Sequence, residues 1–292
     1  MNVGRSIIAK TGIVFAIFVA APHALAAAGG AMIPTTKAGH RFLTDEDRED
    51  FRIQKDALGA SPFHFFRDMK EGGERLIDKP GLLTLSAGAF VGVGASFLDN
   101  NAYDYWGQNN RLGVEVPRLG NEYLGTGLPG VAIGATLWAI GYFGSRPYES
   151  HAGQASLETL LVTGLMSTAI KAMQLRPRPN DSDRYSFPSS HASTVFASAT
   201  ALYEFYGWKV GIPAYALGAL TAVSRISVNE HWLSDTVGGA VIGIWVGQAF
   251  SRAHLWRYNG FERAREKESG AQVSFFPVAE PGGGQLMMNI SF

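Results

Sequence analysis

The sequence contains no cysteine, so disulfides, thiolate nucleophiles and cysteine-based zinc sites are excluded. Charge is scarce. Asp, Glu, Lys and Arg make up 17% of the 292 residues, against roughly 25% in an average soluble chain. Neither sign prevails: Lys plus Arg and Asp plus Glu number 25 each, so no net field draws nucleic acid or an anionic surface. Period-two alternation is missing from the central region, which argues against strands there. No internal repeat and no acidic cluster of the kind that binds metal is evident. What the chain has in quantity is apolar residues, at 46%.

These are distributed unevenly. Residues 1–26 read as a secretory signal, with Arg5 and Lys10, a short apolar stretch from Thr11 to Ala21, and Ala24-Leu25-Ala26 as a cleavage site. Residues 27–79 read as a linker and a charged amphipathic segment carrying Phe51, Phe63, Phe65 and Phe66. Six apolar runs follow, at 81–98, 129–144, 155–170, 191–206, 210–223 and 236–250. Small residues at close spacing within them permit tight helix packing. The expected fold is all-α: a bundle of about six apolar helices over 80–252 with the site at one end. A tail at 253–292 alternates at Val273 and Phe275, then at Leu286, Met288 and Ile290, and is expected to form a small β-hairpin.

Three segments gather polar residues at the ends of these runs: Lys171 to Pro179, Phe187 to His191, and Ser224 to Asp235. Lys171, Arg178 and Arg225 converging on one pocket would hold a dianion, and the planar arginine fork suits phosphate oxygens. Ser189, Ser190 and His191 open a helix whose first amides add anion donors. His231 and Asp235 are four apart, so on a helix the carboxylate would hold one ring nitrogen and direct the other as a nucleophile. His191 would then protonate a leaving alkoxide. Each group has a plainer reading alone. Lys171, Arg176 and Arg178 would cap a helix C-terminus, Ser189 and Ser190 would be helix caps, His231 and Asp235 a structural pair, and Arg225 a snorkelling side chain. Jointly the plain readings fail to explain why all three segments carry phosphate-binding or proton-transferring residues.

The three segments resemble the signature motifs of the type 2 phosphatidic acid phosphatase and vanadium haloperoxidase superfamily: Lys171-x6-Arg178-Pro179, Pro188-Ser189-Ser190-His191, and Ser224-Arg225-x5-His231-x3-Asp235. The usual glycine of the second motif is Ser190 here. The resemblance implies that Lys171, Arg178, Ser189, Ser190 (through its amide) and Arg225 bind phosphate. It implies His231 as nucleophile, Asp235 as its orienting partner and His191 as acid and base. It implies no metal and no cofactor. Asp181, Asp183 and Arg184 are further candidates for the pocket mouth. His64, Glu149, His151 and Glu230 are assigned no role; a helix would point Glu230 about 100° away from its neighbour.

The resulting expectation is a metal-independent phosphatase acting on phosphate esters or pyrophosphates, with a phosphorylated lipid or small phosphate ester as substrate and no nucleic acid partner. Localisation is expected in a bacterial cell envelope, membrane-associated with the site facing the periplasm, or periplasmic. The signals conflict: three apolar runs before Lys171 would turn the site to the cytoplasm if all crossed. Rival readings are a soluble acid phosphatase, a vanadate-dependent haloperoxidase and a non-catalytic membrane protein.

Overall fold

A computed structural model describes residues 65–108 and 111–268, with backbone alone from 261, and the backbone stretches 272–280 and 283–291. The signal segment and His64 lie outside the described residues. The protein is mostly helical. Among the described residues nine α-helices form the body: α1 (Phe65–Leu76), α2 (Lys79–Ser96), α3 (Asp99–Ala102), α4 (Glu115–Arg118), α5 (Leu128–Phe143), α6 (Pro147–Gln174), α7 (Ser190–Tyr206), α8 (Trp208–Ser227) and α9 (Leu233–Glu268). The described residues of that body contain no strand. The C-terminal hairpin lies outside it and stays an expectation.

Each helix starts or stops for a local reason. Asp78 caps α2, its carboxylate accepting from the Gly81 amide at 2.7 Å, and Pro80 follows inside the first turn. Ser189 caps α7. Leu175 takes the left-handed conformation, φ 46°, that ends α6.

The core lies between α2, α7, α8 and α9, around Phe196, Tyr215, Ile226, Leu233 and Ile244. α9 packs against α7 through small residues: a Cβ on Gly243 would stand 2.3 Å from the Ser193 carbonyl, and one on Gly239 2.5 Å from that of Ser189. Backbone approach this close requires the absence of side chains. It also brings Ser189 beside the start of α9. Because α6, α7, α8 and α9 run up and down in turn, the end of α6, the start of α7, the end of α8 and the start of α9 meet at one end.

α1 closes the other end through ionic contacts. Asp68 pairs with Arg257, His254 Nε2 meets Glu158 Oε2 at 2.9 Å, and His151 Nδ1 meets His254 Nδ1 at 3.0 Å. The sequence shows no acidic cluster, yet the fold gathers Asp68, Glu158 and His254 with ligating atoms within 4.8 Å of one another. Arg257 already supplies the cation there. Glu149 and His151, assigned no role from the sequence, are buried in the first turns of α6.

Among the described residues one helix, α8, is long and apolar enough to cross a membrane, or up to three if the bent pairs Phe65–Leu76 with Lys79–Ser96 and Glu115–Thr126 with Leu128–Phe143 each count as one span. Large apolar side chains lie exposed along α2 and α5, among them Phe90, Phe97, Leu128 and Phe143.

Candidate active site

The segments singled out in the sequence come together where these four helix ends meet. Arg178 and Arg225 share one carboxylate, that of Glu230. Lys171 lies within their field: its ammonium is pushed down to about 8, by burial first and then by Arg178, with Arg225 contributing and Asp235 opposing. Arg178 and Arg225 thus add electrostatic repulsion to the burial that lowers the Lys171 ammonium. Lys171 Nζ also donates to the Tyr185 carbonyl at 2.6 Å, and Arg178 Nε to Asp183 Oδ1 at 2.7 Å.

His231 is 2% exposed. Its Nδ1 stands 2.6 Å from the Ser186 carbonyl oxygen and 3.8 Å from Asp235 Oδ2. A carbonyl only accepts, so Nδ1 carries the proton and Nε2 keeps its lone pair. The primary orienting contact is therefore a main-chain oxygen, with Asp235 one shell further out. The reason is local: α9 begins at Leu233, so His231 precedes the helix and the two residues are not on successive turns. Asp235 accepts from the Trp232 amide at 2.8 Å, from Arg176 Nη1 at 2.6 Å and from the Ser186 hydroxyl. Burial works to raise its carboxyl; His231, Arg176, Ser186 and the Trp232 amide outweigh that and hold it below the ordinary carboxylate range. Burial lowers His231, helped by Arg225 and opposed by Asp235. The balance favours the neutral imidazole.

Ser189 is fully buried; its hydroxyl accepts from the Ala192 amide at 3.5 Å and its own amide donates to the Asp235 carbonyl at 3.0 Å. These bonds join the second and third segments directly. Ser190 opens α7, and His191 occupies its first turn. His191 is pushed down to about 4, by burial first and then by Arg225 and His231. The segment between α3 and α5 covers it: a Cβ on Gly125 would stand 2.4 Å from His191 Cδ2.

Five residues here had no role in the sequence reading. Glu230 is not helical and bends back onto the two arginines. Asn229, at φ 59°, makes that reversal, and asparagine tolerates the left-handed region. Ser186 and Arg176 reach His231 or Asp235, and Asp99 reaches Arg176 and Ser234, only through tertiary contacts. Asp183 pairs with Arg178; neither Asp181 nor Arg184 makes a described side-chain contact with the cations.

The bundle thus places a buried histidine at one end, with Arg225 and Lys171 acting on it and Arg178 sharing the Glu230 carboxylate with Arg225. Residues 155–259 match the family model of the PAP2 superfamily. The chain is 33% identical to the lipid A 1-phosphatase of Porphyromonas gingivalis over 112 residues, 36% of this chain and 25% of that protein. It is 31% identical to the undecaprenyl-diphosphatase BcrC of Bacillus subtilis over 127 residues, 40% of this chain and 63% of that protein. It is 31% identical to the lipid A 4'-phosphatase of Helicobacter pylori over 100 residues, 31% of this chain and 50% of that protein. The matches thus span a quarter to under two thirds of the relatives' own lengths. No solved structure matches the chain.

Proposed function

We propose that this protein is a phosphatase that hydrolyses phosphate esters or pyrophosphates of lipids through a phosphohistidine on His231. One observation carries the reading: a buried imidazole with its Nδ1 committed to the Ser186 carbonyl, beside Arg178, Arg225 and Lys171. In the first step His231 Nε2 attacks phosphorus, the N–P bond forms and the bond to the leaving oxygen breaks. Lys171, Arg178 and Arg225, with Ser189 and the Ser190 amide, stabilise charge on the three remaining oxygens. His191 gives the leaving oxygen its proton. In the second step His191 takes a proton from water, whose oxygen displaces the imidazole from phosphorus. His191 is neutral in the free site; an arriving phosphate dianion favours its protonated form and prepares it as the acid.

Support for a lipid substrate comes from two directions. The relatives named above carry lipid A and undecaprenyl names. Four helices also expose apolar side chains, including Phe90 on α2, Phe143 on α5, Leu165 on α6 and Leu217 on α8. Such a surface favours association with a bilayer. Placement in a bacterial envelope with the site towards the periplasm is the orientation we adopt.

The test is phosphate release in detergent with EDTA present, comparing the protein with His231→Ala on a lipid A phosphate, a polyprenyl pyrophosphate, phosphatidate and a small aryl phosphate. Turnover lost in the variant establishes the histidine route, and preference for the aryl phosphate would redirect the substrate class to soluble esters. No release from any of the four would overturn the proposal.

A further inference from the structure

Arg176 was read above as part of a basic helix cap, yet its guanidinium bridges two buried carboxylates. Nη1 donates to Asp235 Oδ1 at 2.6 Å and to Ser234 Oγ at 2.7 Å; Nη2 donates to Asp99 Oδ2 at 2.8 Å. Asp99 also accepts from the Ser234 amide at 2.8 Å through Oδ1 and from the Ser234 hydroxyl at 2.7 Å through Oδ2. Asp235 and Asp99 are 0% and 7% exposed. A planar fork suits two acceptors held apart at fixed angles; an ammonium would serve one of them at a time.

Asp99 opens α3, well ahead of residues 155–259. The carboxylate behind the nucleophile is thus anchored from a part of the chain that the superfamily match leaves out. Asp235 Oδ2 stands 3.8 Å from His231 Nδ1, close enough to compete with the Ser186 carbonyl if its own donors were lost. We propose that Arg176, clamped by Asp99, is the positioning residue for Asp235, and that the pair, with Asp99 reaching in from outside the superfamily segment, fixes the direction and charge of the His231 imidazole. The inference rests on the phosphohistidine reading of His231.

The arrangement has an electrical signature. His231 faces Asp235 at the start of α9, Arg225 at the end of α8, Lys171 at the end of α6 and His191 at the start of α7. Arg176 adds one positive charge behind Asp235, and Asp99 one negative charge behind Arg176. Removing the first favours the protonated imidazole; removing the second disfavours it. A residue that merely fills space would change the rate without moving the titration.

The experiment measures kcat/KM against pH, with EDTA present, for the protein, Arg176→Gln, Arg176→Lys and Asp99→Asn. Thermal unfolding is recorded for each. In Arg176→Gln, kcat is expected to fall about tenfold or more, through misplacement of Asp235. Its acid limb should move to higher pH by about half a unit or more, from the lost charge. Asp99→Asn should move the same limb to lower pH. Arg176→Lys keeps the charge, so its limb should stay in place while kcat falls. It also provides the comparison if Arg176→Gln fails to fold. A limb unmoved in both neutralising variants, or moved the same way in both, would overturn the proposal. Should the protein hydrolyse none of the phosphates, the phosphatase reading fails separately. The His231 titration followed by carbon-13 NMR of labelled histidine, assigned with His231→Gln, then decides on the same opposite shifts.

Discussion

Glu230 Oε2 stands 3.4 Å from Arg225 Nη2, and the same oxygen pairs with Arg178. A carboxylate therefore sits between two of the cations assigned to phosphate. Its side chain is 33% exposed, so it has room to swing aside. Glu230→Gln removes the competing charge but keeps a similar shape. Orthovanadate should inhibit the Gln variant at about tenfold lower concentration, equivalent to about 1.4 kcal/mol of recovered binding. Equal or weaker inhibition would show that Glu230 holds the arginines in place for the phosphate.

Arg225 is the second point of test. Its side chain is 11% exposed, and its guanidinium charge would develop its full effect on the oxygens of a pentacoordinate phosphorus only in a water-poor site. Arg225→Ala is expected to cost about 2–4 kcal/mol of transition-state stabilisation, seen as a fall of about 30- to 1,000-fold in kcat. A fall confined to KM would place Arg225 in ground-state binding alone.

His191 gives a pH dependence of folding. The folded site holds its imidazole down at about 4, burial first among the causes, while an unfolded histidine titrates near about 6.5. Between these values the unfolded chain takes up a proton that the folded site refuses. Stability is therefore present in full above about 6.5 and is lost as pH falls towards about 4. The slope of Tm against pH across that window should be shallower in His191→Asn. Parallel slopes would contradict the assigned environment.

Gly243 tests the packing that joins α7 to α9. With the Ser193 carbonyl 2.3 Å from any Cβ at this position, the two backbones must separate to admit one. Gly243→Val should destabilise by about 1–3 kcal/mol, lowering Tm in thermal unfolding. It should also loosen the bond from the Ser189 amide to the Asp235 carbonyl and reduce kcat. Gly260 meets nothing within 4 Å, and Gly260→Ala is the control, expected to leave Tm within about a degree.

The helices and the chemistry-bearing side chains were legible for different reasons. Each apolar run of the sequence lies mainly in one helix, because runs of Gly, Ala, Val and Leu without period-two alternation leave little alternative. Lys171, Arg178, His191, Arg225 and His231 were legible through spacing and charge type. Their supports were not. Asp99 is separated from Arg176 by 77 positions and Ser186 from Asp235 by 49, and no local periodicity reports such pairings. Glu230 was set aside by assuming helix at 228–232; the left-handed Asn229 breaks that assumption and returns the carboxylate to the site. Asp68, Glu158 and His254 are equally distant in sequence and meet only because α1 folds back on α9.

The oxygen that receives the His231 Nδ1 proton belongs to the peptide unit of residue 186, not to a side chain. A residue-by-residue substitution scan changes what hangs from that unit and leaves its carbonyl in place. Ser186→Ala would delete only the hydroxyl that reaches Asp235. The tautomer of His231 is thereby insulated from point substitution at the position that sets it. It can be lost only by moving the chain, as an insertion between Tyr185 and Ser189 would do. Drift in the amino-acid identity of residue 186 and invariance in loop length are the paired trace such a device would leave among relatives of this protein.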